Sequence, residues 1–276
     1  MEIIFNNVSY SENLKTVYEK KYLKSVSFKI NENEITAIIS DDDCKIGELL
    51  TAAKKPTGGY VSYGDFLNKK GSNIDNINEL RKQIAWINCS FKKNFLCNTV
   101  KEEISLAIRN YMKGCKDINK RVSDSLKLVG LDDSFIDKNP NNLSYIEQKK
   151  IIFATFISYN PKIIIIDGYE QGMTFKERDS LKKMLRLLKV RYNKTIIIIS
   201  NDINFIMDIV DSYVVINRGV NVLEGTKNDF YKEEIYPDVE KPKIIEFIKY
   251  AKEKGHDIEN YVDIKELIKG IYRDVT

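Results

Sequence analysis

The chain has one histidine, four cysteines, five prolines and one tryptophan among its 276 residues. His256 lies in a Lys-Gly-His-Asp turn near the C-terminus, which argues against a histidine-built triad or metal centre. Cys44, Cys89, Cys97 and Cys115 form no C-x-x-C pair and no zinc-type spacing, so they read as reduced thiols of a cytosolic protein. No run approaches the roughly 20 apolar residues that a membrane helix needs. The opening MEIIFNNVSY lacks the charged, apolar and cleavage regions of a signal peptide. The expected location is therefore the cytoplasm, with any membrane reached through a partner. A surplus of charge is missing too: 44 basic against 40 acidic residues leave +4, spread along the chain, which is too slight to argue for nucleic acid. With 43% hydrophobic and 30% charged residues, the composition is that of an ordinary globular protein. The length allows one large α/β domain plus an appendage.

What is present is organised around Leu143 to Met173. An amphipathic run opens at Leu143-Ser144 and breaks at Asn160-Pro161, because proline cannot continue a helix. Ile163-Ile164-Ile165-Ile166-Asp167 follows, and such a β-branched run reads as a strand buried on both faces of a parallel sheet. Asp167 stands at its carboxyl end, where open α/β sheets bind ligands. Ile35 to Ile39 and Thr195 to Ser200 read as further central strands, and Glu2 to Phe5, Val8 to Tyr10, Tyr22 to Ile30, Tyr60 to Tyr63, Gln83 to Ile87 and Tyr213 to Asn217 as others. Helices are expected at about Ile46 to Lys54, Asn73 to Lys82, Thr99 to Asn110, Lys116 to Leu128, Lys176 to Tyr192 and Asn204 to Ile209. Alternating strands and helices with a helical insert indicate a parallel α/β sheet. Past Asp229, Pro237, Pro242 and dense charge lead to two short helices, Ile244 to Lys252 and Ile264 to Tyr272.

The order of elements, with FNNVSY, ITAII, KPTGGYV, ELRKQIAWI, TVKEEISLAI, NLS, NPKIIIID, TIIIISND, VVINRG and VLEGTKNDFY, resembles an ABC ATPase nucleotide-binding domain. It is most similar in kind to the ATPase subunit of an energy-coupling factor (ECF, CbiO-type) transporter. The resemblance implies a P-loop NTPase-like ABC domain over 1–228, with a helical insert at about 92–158, and a C-terminal helical extension over 229–276 that helps pair ATPase subunits. It implies ATP and magnesium as cofactors. It implies as partners a second ATPase subunit, in a homo- or heterodimer, and a transmembrane coupling subunit. The place implied is the inner face of the cell membrane. Coupling helices would dock around Cys89 to Asn98, where Phe91, Phe95 and Leu96 could supply apolar contacts, although core packing is the commoner fate of such residues.

The motifs of chemistry depart from that pattern. A P-loop turns backbone N–H groups around phosphates with its glycines and neutralises charge with its lysine. Its position falls on Ser40, Asp41, Asp42, Asp43, Cys44, Lys45, Ile46 and Gly47. Only Lys45 stands in place, with no Ser or Thr after it. Two charges 4 Å apart repel by ~4 kcal/mol at an effective dielectric of 20, so three carboxylates here disfavour nucleotide. They read either as a solvated acidic turn or as a carboxylate standing in for phosphate at a helix N-terminus. The signature position reads Leu143-Ser144-Tyr145-Ile146-Glu147, where Ser144 and Glu147 can close a capping box. Asp167 matches the family's magnesium-water ligand, while Gly168 stands where the water-polarising glutamate belongs. Glu170 is the displaced candidate, with a surface loop charge as its more ordinary reading. Thr174 replaces the D-loop aspartate, Asn201 the switch histidine, Cys89 the Q-loop glutamine, and Glu12 the adenine-stacking aromatic.

The expected function is a degenerate ATP-binding subunit of an ECF-like transporter, impaired in ATP binding and hydrolysis and acting as a structural or regulatory partner. The alternatives are an active ATPase using Lys45, Asp167 and Glu170, and a soluble pseudo-ATPase scaffold.

Overall fold

The structure is a computed structural model and describes residues 1–40, 45–88, 95–227, 229, 241–261 and 263–275. Asp41, Asp42, Asp43, Cys44, Cys89 and Phe91 lie outside the described residues.

The described strands are β1 (Ile3–Glu12), β2 (Lys20–Ile30), β3 (Ile35–Ser40), β4 (Gly58–Tyr63), β5 (Phe66–Lys69), β6 (Ile84–Asn88), β7 (Ile163–Asp167), β8 (Thr195–Ile199), β9 (Ser212–Asn217) and β10 (Val220–Thr226). They form two sheets. One is antiparallel, in the order β2-β1-β4-β5. The other runs β10-β9-β3-β8-β7-β6 and is parallel from β9 to β6, with β10 antiparallel at its edge.

The isoleucine strands show why a continuous apolar run belongs in the centre of the parallel sheet. Side chains alternate between faces along a strand, so one run serves two cores. Ile164, Ile166, Ile196 and Ile198 pack into the core shared with the helices. Ile163, Ile165, Ile197 and Ile199 pack into the core shared with the antiparallel sheet.

The helices are α1 (Ile46–Leu50), α2 (Ile77–Arg81), α3 (Val100–Tyr111), α4 (Ile118–Leu128), α5 (Tyr145–Ser158), α6 (Phe175–Tyr192), α7 (Ile203–Ile206), α8 (Lys243–Glu253) and α9 (Ile264–Val275). α3, α4 and α5 form the insert between β6 and β7. Capping boxes start three helices: Thr99 with Glu102, Ser144 with Glu147, and Thr174 with Glu177. Each closes two otherwise orphaned backbone donors. At the other end of α5 the chain turns through Asn160, whose φ of 60° lies in the left-handed region, before Pro161. α1 is only 5 residues long, shorter than the 46–54 span read from the sequence. Among the described residues no helix is long and apolar enough to cross a membrane.

Candidate functional site

The carboxyl ends of the parallel strands gather Ser40, Asn88, Asp167 and Ile199 into one row, since Asn88 pairs in register with Asp167 and Asp167 with Ile199. Ser200 and Asn201 continue the row. The side-chain amide oxygen of Asn201 accepts from the Ser40 backbone N–H at 3.2 Å, tying the switch position to the entry of the P-loop position.

Asp167 is held by a residue that motif reasoning did not single out. The indole Nε1 of Trp86 donates to Asp167 Oδ2 at 3.3 Å. The same ring covers the first turn of α1: a Cβ on Gly47 would stand 2.8 Å from Trp86 Cζ2. Only glycine lets the helix approach the indole so closely. Burial raises the Asp167 carboxyl above its ordinary value and the charge of Glu170 raises it further, while the indole bond acts in the opposite sense. The signal that could have found Trp86 was its position, the chain's one tryptophan on a strand that ends beside the aspartate.

The expectation that Glu170 is a surface loop charge is corrected by the structure. Gly168, at φ 58°, turns the chain back, and its N–H bonds Ile199 O at 2.9 Å. That turn swings Glu170 inward to 2% exposure. Its Oε1 accepts from Ser200 Oγ at 2.6 Å, and its buried Oε2 has no hydrogen-bond partner among the described residues. Burial pushes this carboxyl up, against the Ser200 bond; nearby Asp202 adds to the rise and Arg178 opposes it.

Lys45 caps α1 only with its backbone, at φ 56°. Its Nζ lies 3.7 Å from Glu48 Oε1 and 5.9 Å from the centre of the Tyr22 ring. At the position of the adenine-stacking aromatic, Glu12 accepts from Tyr10 and Tyr22 hydroxyls at 3.1 Å each. Glu12, Tyr10 and Tyr22 thus form an acid-tyrosine cluster, in which burial and the Glu12 bond hold the Tyr10 hydroxyl well above its ordinary value.

At the signature position Ser144 caps α5 as expected, and its hydroxyl donates to Glu147 Oε2 at 2.6 Å. These bonds hold the Glu147 carboxyl below its ordinary range. A carboxylate therefore sits on the N-terminus of α5, the place where a helix otherwise attracts an external anion. The helix is also latched to the loop after β7. Lys149 Nζ donates to the carbonyls of Tyr169 and Gln171 at 2.6 Å each, and the Tyr169 hydroxyl donates back to Lys149 O at 2.8 Å. Lys149 is buried, and nothing in the sequence separates it from the solvated lysines around it. Thr174, at the D-loop position, caps α6. Of the docking-groove residues, Phe95 packs against the core while Leu96 is exposed.

Two layers of strand, with a helical insert after β6 and Ser40, Asn88 and Asp167 at the carboxyl ends of the parallel strands, define an ABC ATPase fold within the P-loop NTPase-like class. The chain belongs to the ABC transporter family, whose model matches residues 23–169. It is 28% identical to the energy-coupling factor transporter ATP-binding protein EcfA3 of Oenococcus oeni, over 98% of this chain and 96% of that protein. It is 27% identical to the energy-coupling factor transporter ATP-binding protein EcfA2 of Clostridioides difficile, over 100% of this chain and 98% of that one. The solved structure of cbiO1 from Clostridium perfringens, described as part of the ABC transporter complex cbiONQ, shares the fold with a TM-score of 0.75. That match has 22% identity and covers 92% of this chain and 97% of that chain.

Proposed function

We propose that this chain is an ECF-type ATPase subunit by descent that binds and hydrolyses ATP poorly or not at all, and that serves its transporter as a structural or regulatory partner. The observation that carries this reading is the Trp86 indole, which lies on Gly47 of α1 and occupies Asp167 with its N–H. A magnesium-bound triphosphate needs a hydroxyl after the P-loop lysine and an ionised aspartate free for the metal's water shell. The described residues do not fit that group: Ile46 follows Lys45, and the Asp167 carboxyl is desolvated and taken by an indole. The signature hydroxyl is likewise occupied by Glu147. Both halves of a composite dimer site are altered, so one dead and one live site is not the simple outcome.

In this reading the chain pairs with a second ATPase subunit and docks on a transmembrane coupling subunit from the cytoplasmic side, with 1–228 as the ATPase-like domain and 229–276 as the extension. Exposed Phe247 and Tyr250 on α8, with Ile264 and Ile268 on α9, support an added contact there. Calorimetric titration of magnesium-ATP into the purified chain, alone and with its partner ATPase, is expected to show no saturable heat up to about 1 mM. Micromolar binding would overturn the proposal. Co-purification with a membrane subunit separates a transporter component from a soluble scaffold.

One observation favours an active ATPase instead. Glu170 is buried close to Asp167 at the strand ends, with an unpartnered carboxyl oxygen. Steady ATP turnover that Asp167→Asn abolishes would establish that alternative.

A further inference from the structure

At the opposite end of the sheet from Asp167, a cavity of about 860 Å³ opens between α4, the end of α5 and α6. Its size is that of a small-molecule site. Two of its cations stand out. Lys194, immediately before β8, is 7% exposed, and among the described residues its Nζ bonds only neutral oxygens of Asn160, at 2.7 Å and 3.4 Å. The half-buried Arg121 of α4 donates to the Ser158 carbonyl at 2.9 Å. Neither has a carboxylate within ion-pair distance among the described residues. They are close enough that Arg121, after burial, is a cause holding the Lys194 ammonium below its ordinary value.

Two like charges lining one partly desolvated cavity and bonded to the same turn are costly unless a counter-charge completes them. The protein supplies little compensation: at the lining, Asp117 and Asp124 are set against Lys120 and Lys127 as well as this pair. The turn Ser158 to Asn160 nevertheless fixes both cations, spending its carbonyls on their inner N–H groups. The lining also carries Leu187, Leu188 and Tyr192 of α6, which supply apolar surface.

We infer that this cavity binds a phosphomonoester on a small apolar body, with Arg121 and Lys194 gripping the phosphate and the α6 wall covering the organic part. The phosphate is chosen by charge, since a phosphomonoester carries about −1.5 to −2 at neutral pH and matches two cations, whereas a carboxylate matches one. The guanidinium fork suits two phosphate oxygens, and the ammonium adds a point charge.

Phenyl phosphate is the probe, titrated calorimetrically into the full chain. One site per chain with Kd below about 1 mM is expected. Arg121→Gln and Lys194→Gln should each weaken it about tenfold or more, the loss of one charge-assisted contact. Arg121→Gln lies on the half-exposed side of the cavity and tests the site even if Lys194→Gln fails to fold. Asp167→Asn should leave the affinity unchanged, which separates this cavity from the strand-end site. No saturable binding up to about 10 mM would overturn the inference, as would binding that survives Arg121→Gln. Benzoate binding as tightly as phenyl phosphate would overturn the dianion assignment.

Discussion

Replacing Gly47 with alanine tests whether the Trp86 indole really seals α1 against Asp167. In an ordinary helix the change gains ~0.5–1 kcal/mol, because glycine loses the most backbone freedom on folding. Here the new Cβ would meet Trp86 at 2.8, 3.0 and 3.1 Å, on three atoms of a rigid ring. The ring cannot retreat freely, since its N–H is bonded to Asp167 and its body packs against the core under the antiparallel sheet. Overpacking of this kind costs ~1–3 kcal/mol, so the expected net effect of Gly47→Ala is a loss of about 0–2 kcal/mol. Trp86→Leu on its own gives up the indole bond and part of the ring packing, at ~2–4 kcal/mol. In that second background the clash is gone, and Gly47→Ala should become stabilising. The two changes then couple favourably by ~1–3 kcal/mol in a double-mutant cycle. Urea unfolding at constant slope measures all four corners. A Gly47→Ala protein more stable than its parent, with additive behaviour in the double variant, would refute the argument that the indole closes this space.

Two further outcomes follow from the same geometry. Ser144→Ala removes the side-chain acceptor of the α5 capping box and should cost ~1 kcal/mol by thermal or urea unfolding; no loss would mean the cap is not formed in solution. Glu170→Gln probes a carboxyl that burial raises above its unfolded value. The native state then holds that proton more tightly, so its contribution favours the fold at low pH and fades as pH rises through the folded value. Subtracting the urea midpoints of Glu170→Gln from those of the parent across about pH 4 to 8 should reveal a falling difference, the parent losing ground toward high pH. Parallel profiles would show that Glu170 is solvated.

Much of the architecture was legible because it is local. The helix start at Ser144 was read from its glutamate three residues on, and the capping box forms there; Thr99 with Glu102 and Thr174 with Glu177 carry the same local pattern. The isoleucine runs were readable as central strands from β-branching and lack of alternation. β5 and β10 were missed, since Phe66–Lys69 is a short edge segment and Val220–Thr226 is an edge strand that carries glycine near its end. Few of their described side chains are buried, so neither presents the apolar run or clean alternation that marks a strand.

The sequence by itself determined the family and most of the run of secondary-structure elements, because both depend on residue identity over a few neighbouring positions. Only the tertiary structure decided the partition of the strands into two sheets, since pairing is set by surfaces meeting across long stretches of chain. It also turned Glu170 inward through Gly168 and brought Trp86 to Asp167, across 81 positions of chain. Those contacts rest on strand register and packing, which no short window of residues encodes.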